Sequence, residues 1–81
     1  MNESALIVGA GSGLSASLAQ LCASRGMKVV LAARNIEKLK NLKKEIGADT
    51  IKCDATNIKS VTNLFKKTDK IIGAPNLVIY N

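Results

Sequence analysis

The chain has 81 residues, 47% of them hydrophobic, with twelve Lys and Arg against six Asp and Glu for a formal net charge of +6. That length allows one small domain or part of one, because so short a chain buries only about 60% of the surface its unfolded form exposes. No apolar run approaches the roughly 20 residues of a membrane helix, and "MNESALIVGAG" lacks the features of a secretory signal, so the sequence reads as a soluble, cytoplasmic protein.

Ser4 to Val8 is a short apolar run closed by Gly9, the pattern of a buried strand. From Leu14 the period changes. Leu14, Leu18, Leu21 and Cys22 recur at helical spacing, Ala16, Ala19 and Ala23 favour the helix by propensity, and Arg25-Gly26 ends it. Met27 to Ala33 is a second strand, rich in branched residues. Asn35 is a good N-cap for a second helix with the stripe Ile36, Leu39, Leu42 and Ile46, stopped by Gly47. A third strand, "DTIKC", ends at Asp54. Thr56 or Asn57 can cap a third helix carrying Ile58, Val61, Leu64, Phe65 and Ile72. Gly73 to Asn76 turns the chain into a fourth strand, "LVIY".

The order βαβαβαβ calls for a parallel sheet with right-handed crossovers, an α/β Rossmann-type doubly wound fold with expected strand order 3-2-1-4. Leu77 to Tyr80 is apolar on both faces, as an interior parallel strand should be. At a free end such a strand would be a sticky edge. The 81 residues are therefore expected to be the N-terminal part of a single domain that continues beyond residue 81.

The lysines cluster in "EKLKNLKKE" and at Lys66 and Lys67, on segments that also carry an apolar stripe, so they read as solvated helix faces. Phe65 and Tyr80 are the only aromatic residues, too few for a stacking platform, and nucleic acid is not the expected partner. A basic-surface binder remains a minor alternative. Cys22 and Cys53 have no metal-type spacing and read as buried free thiols. The sequence contains no histidine, so His-based triads and His-ligated metal sites are excluded.

Three glycines fall within five positions of "GAGSG". The pattern Gly-x-Gly-x-x-Gly fails from Gly9, because Leu14 stands in third place. From Gly11 it gives Gly13 and Ala16 but starts two residues late. A third spacing, Gly-x-x-x-Gly-x-Gly, is met by Gly9 and Gly13 with Ser15 in the last place. The physical demands are shared. Gly9 turns the backbone out of the strand, and Gly13 removes a side chain where a pyrophosphate would approach. The amides opening the helix then face the anion, with the helix dipole adding to the attraction. Gly9, Gly11, Ser12, Gly13 and Leu14 are thus the candidate cofactor cradle, and a tight turn without ligand is the plain structural alternative.

The sequence resembles the short-chain dehydrogenase/reductase family over nearly its whole length. The resemblance rests on the spacing of Gly9, Gly13 and Ser15, on "VVLAARNIEKLKNLKKEIGA", on "CDATNIKSVTNLF" and on "LVIYN". Two departures stand out. Ser15 replaces the usual third glycine, which would crowd the pyrophosphate or the helix–strand contact. Tyr80 replaces the first asparagine of the fourth-strand motif. By resemblance, Asn81 matches the second asparagine and braces the sheet near the cofactor.

A free ribose 2′-hydroxyl is usually held by an acidic side chain at the end of the second strand. In "LAARN" Ala33 stands in that place and Arg34 follows. A guanidinium suits the 2′-phosphate of NADP instead, and the family resemblance also favours NADP(H) over NAD(H). Ser12 and Asn35 are placed to donate to the same phosphate. A surface arginine before a helix is the alternative for Arg34. Asp54 ends the third strand at the edge where parallel sheets bind ligands. By resemblance its carboxylate accepts from the adenine amino group, and the Ala55 amide meets the ring. Capping the third helix is the alternative for Asp54.

By resemblance the parent protein transfers hydride between a nicotinamide and a carbonyl or alcohol, and pairs with copies of itself. The family's catalytic tyrosine, lysine and serine would lie beyond this stretch. Tyr80 belongs to the fourth strand and is not that tyrosine. The other reading is a dinucleotide-sensing or scaffold protein without catalysis.

Overall fold

The computed structural model describes residues 3–9 and 13–80. The elements run β1 (Ser4–Val8), α1 (Gly13–Ser24), β2 (Lys28–Ala33), a 3-10 turn (Ile36–Leu39) leading into α2 (Lys40–Ile46), β3 (Asp49–Lys52), α3 (Ile58–Ile72) and β4 (Leu77–Tyr80). All strand pairs are parallel, as the alternation predicts, and the order is β3-β2-β1-β4, the one expected of the Rossmann-type fold. Ser4 faces Lys28 in register, Ala5 faces Leu77, and Val30 faces Asp49.

The period of two along each strand divides the core into two layers. Ala5, Ile7, Val29 and Leu31 pack against Ala19 and Cys22 of α1 and against Leu39 and Leu42. Leu6, Val8, Val30, Ala32 and Ile51 pack with Leu64 of α3 on the opposite face, with Val61 and Ile72 at the margin. β1 lies between the two layers and is buried over its whole length. Each fully buried branched side chain contributes roughly 1.5–3 kcal/mol, so Leu6, Ile7, Val30 and Leu31, all at 0% exposure, carry much of the sheet's stability.

The buried stripes differ from those predicted. In α1 the buried residues are Ser15, Ala19 and Cys22, while Leu14 and Leu21 are 66% and 50% exposed. Small side chains let this helix lie close on the sheet and push its leucines to the flanks. In α3 Ile58 and Phe65 are exposed, and the buried residues are Leu64 and Thr68. Ile58 is the first residue of its helix, out at one end of the packed face.

The caps hold the rest in place. The Asn35 carboxamide oxygen accepts from the Glu37 N–H at 3.0 Å, and that of Asn57 from the Ser60 N–H at 3.2 Å. Asn57, rather than Thr56, caps α3. Gly47 ends α2 at φ 67°, in the left-handed region that side chains resist. The Asn76 side chain accepts from the Ser4 N–H at 2.9 Å, and its own N–H returns a bond to the Ser4 carbonyl, fastening β4 to the start of β1. Cys22 and Cys53 are buried free thiols, as expected. No helix among the described residues is long and apolar enough to cross a membrane.

Candidate functional site

The ends of β1, β2 and β3 meet at one edge of the sheet. From β1 the chain passes to β2 and β3 on one side, then returns through α3 to β4 on the other. The order therefore reverses at β1, the place where ligands settle in open parallel sheets. The Gly9 N–H extends the ladder by donating to the Ala32 carbonyl at 2.8 Å. Gly9 then turns at φ 84°, which makes glycine the fitting residue there.

Gly13 opens α1, and a Cβ built on it would meet no atom within 4 Å among the described residues outside its own helix backbone and chain neighbours. The space over the start of the helix is open on that side. Ser15 is fully buried, and its hydroxyl donates to the Gly9 carbonyl at 3.3 Å. Its side chain is thus housed between helix and strand. Gly11, Ser12 and Asn81, also expected at the site, lie outside the described residues.

Beside Gly9 an open groove of about 440 Å³ is lined by Val8, Ala33, Arg34, Asn35, Lys38 and residues 53–56. That volume falls within the roughly 300–1,000 Å³ of small-molecule clefts. Arg34, Asn35, Asp54 and Ala55, expected separately at two strand ends, are brought together here. Leu14 is instead an exposed residue of the first turn of α1 and does not line the groove.

The strand ends set the polar groups of the groove. The Cys53 N–H donates to the Ala33 carbonyl at 3.0 Å, holding Arg34 and Asp54 on adjacent strand ends, with Arg34 Nε 3.7 Å from Asp54 Oδ1. Asp54 Oδ1 also accepts from the Thr56 hydroxyl at 2.6 Å and the Thr56 N–H at 2.9 Å. The Asp54 N–H donates to Ser60 Oγ at 2.9 Å, tying this turn to the first turn of α3. Asp54 therefore shapes the turn ahead of the helix, and the cap belongs to Asn57.

The Thr56 hydroxyl, then the Thr56 N–H, hold the Asp54 carboxyl below the usual carboxylate range; desolvation opposes them, and the charge of Arg34 adds the smallest effect, a further lowering. Asp54 is thus an acceptor that stays ionised. Its Oδ2 makes no bond among the described residues, nor does the Ala55 N–H. Asn35 uses its oxygen as a cap, which leaves its side-chain amine to donate. The groove therefore combines an unused carboxylate oxygen, amide donors and two cations. That set suits an adenine edge next to an anion.

Lys38 and Thr56 were not anticipated as members of the site. Lys38 belongs to a lysine-rich segment and is distinguished only by standing three residues after the Asn35 cap. Thr56 was noted only as a helix cap.

The family model for short chain dehydrogenase matches residues 3–81 of this chain. The chain belongs to the short-chain dehydrogenase family. It is 40% identical over 78 residues to an uncharacterized oxidoreductase of Staphylococcus aureus (strain USA300), covering 93% of this chain and 34% of the relative. Among solved structures, an actinorhodin polyketide ketoreductase crystallised with NADPH superposes with a TM-score of 0.92 at 27% identity, covering 99% of this chain and 33% of that one. A metagenomic short-chain oxidoreductase in complex with NADP does so at 0.88 and 27% identity, over 94% and 37%. This short-chain dehydrogenase chain spans about a third of the length of those proteins.

Proposed function

We propose that these residues are the NADP(H)-binding part of a longer oxidoreductase that transfers hydride between a nicotinamide cofactor and a carbonyl or alcohol substrate. The observation that carries the reading is the groove at the ends of β2 and β3. It presents Arg34 and Lys38 with no carboxylate at Ala33, where a free ribose hydroxyl would need one. Family membership, and the NADPH and NADP in the two solved relatives, support the same reading. The length of the relatives supports a domain that continues after Asn81. Cytoplasmic residence and self-association go with this assignment.

In this reading Gly9 and Gly13 leave room for the pyrophosphate, with Gly11, Ser12 and Leu14 in the same cradle. The start of α1 turns its amides toward that anion. Arg34 binds the 2′-phosphate with charge-assisted hydrogen bonds, and the side-chain amine of Asn35 adds a donor. Asp54 Oδ2 accepts from the adenine amino group and the Ala55 N–H donates to the ring, while Asn81 braces the end of β4. The bound nicotinamide supplies the hydride chemistry, and the residues here bind and orient its adenosine end.

Comparing NADPH and NADH affinity in the intact protein and in Arg34→Ala tests the assignment. Charge-assisted bonds are worth roughly 1.5–3 kcal/mol each, so the variant should lose about tenfold or more in NADPH affinity and little for NADH. Equal losses for both would refute NADP(H) as the preferred cofactor.

A further inference from the structure

The two cations of the groove are not equivalent. Arg34 shares its charge with Asp54, 3.7 Å away, so this pair is formally neutral at the mouth of the groove. Lys38 lines the same groove and has no ion pair among the described residues. The carboxylate next to it in sequence, Glu37, is engaged by Lys40 at 2.8 Å. Of the ionised side chains lining the groove, only Lys38 therefore contributes an uncompensated charge.

We infer that Lys38 is a specificity-determining residue for the 2′-phosphate, with Asp54 acting as a counterweight that restrains Arg34. The inference rests on the NADP(H) reading of the groove. A phosphate monoester carries about −1.5 to −2 charges at neutral pH. When it binds, Arg34 divides its attraction between the phosphate and Asp54. The Lys38 ammonium faces no such competition, and its flexible stem brings three donors to a ligand at the open rim. The same arrangement gives Asp54 two opposed effects. It accepts from the adenine edge of either dinucleotide, and it weakens the grip of Arg34 on the one that carries the extra phosphate.

The test is fluorescence titration of the intact protein with NADPH and with NADH, for the unaltered chain, Lys38→Met, Lys38→Arg, Arg34→Met and Asp54→Asn. Thermal melts with and without each nucleotide give a second readout. Lys38→Met should weaken NADPH binding about tenfold and NADH binding less than twofold, with the melting temperature of the unliganded protein unchanged. Lys38→Arg should restore the preference, and Asp54→Asn should raise the ratio of NADPH to NADH affinity. If Arg34→Met abolishes the preference while Lys38→Met leaves it intact, Lys38 has no part in selection and the NADP(H) reading stands. If the unaltered protein binds NADH as tightly as NADPH, that reading fails and the role of Lys38 fails with it.

Discussion

The Ser15 hydroxyl donates to the Gly9 carbonyl, joining the last position of the glycine stretch to the first. Serine here is more than a bulkier stand-in for glycine. Its side chain is fully buried where α1 meets β1, and the bond ties the helix to the residue that turns the chain out of the strand. A net hydrogen bond contributes roughly 0.5–1.5 kcal/mol. Ser15→Ala should therefore destabilise the protein by about 1 kcal/mol. Ser15→Gly should cost about 0.5–1 kcal/mol more, through backbone freedom within the helix. Denaturant midpoints measure both, and a glycine variant more stable than the unaltered protein would contradict the account.

Asp54 makes the turn after β3 sensitive to acid. Its folded-state pKa is lowered, so its contribution to stability is fully present above the unfolded-state value and is lost as pH falls through the folded-state value. The Thr56 hydroxyl is the largest cause. Thr56→Val should raise the Asp54 titration midpoint, measured by carboxyl-carbon NMR, more than Arg34→Gln does. The reverse order would make the ion pair the dominant influence.

Asp54→Ala should weaken NADH, and an adenosine nucleotide such as AMP, by similar factors of about tenfold. NADPH should lose less, because the substitution also releases Arg34 toward the 2′-phosphate. Calorimetric titration of the three ligands checks the ranking. A defect confined to reactions at the nicotinamide, with AMP binding intact, would remove Asp54 from the adenine end.

Thr68 presents the opposite case, a polar atom that contributes nothing where it sits. It is fully buried on the sheet-facing side of α3, and its hydroxyl has no hydrogen-bond partner among the described residues. An unsatisfied buried donor costs about 1–3 kcal/mol, and valine has nearly the same shape. Thr68→Val should stabilise the protein by about 1 kcal/mol in denaturant unfolding. A loss of stability would mean that the hydroxyl has a partner.

The sequence patterns carried the fold well because each element had its own punctuation. Gly9, Gly47, Asn35 and Asn57 mark ends that the structure places as expected, and the alternation of strand with helix fixes the parallel order. The helix faces were harder to read. The contact of α1 with the sheet uses Ser15, Ala19 and Cys22, whose small size is what lets helix and sheet approach, so of the apolar stripe Leu14, Leu18, Leu21 and Cys22 only Cys22 is buried. Thr68 escaped notice in α3 for a similar reason, since its type suggests solvent. At the site, Arg34 and Asp54 are legible because each directly follows a strand run whose end the residue pattern marks. The nearness of Lys38 depends on the 3-10 turn between β2 and α2, and the path of that turn has no signal in the lysine pattern.

The clamp between Ser4 and Asn76 also determines when the sheet can assemble. The two residues are 72 positions apart, and every strand pairing here is parallel and therefore non-local. Such contacts form slowly, because long loops must close before pairing repays the cost. On the ribosome β1 is made before β2, and β4, which covers its other edge, follows only after α1, α2 and α3 have been made. Until then "ALIV" is an apolar strand with an open side, the kind of surface that nascent chains lose to aggregation. Synthesis that stalled between α3 and β4 would leave β1, buried throughout once the sheet is assembled, with one edge open to other chains.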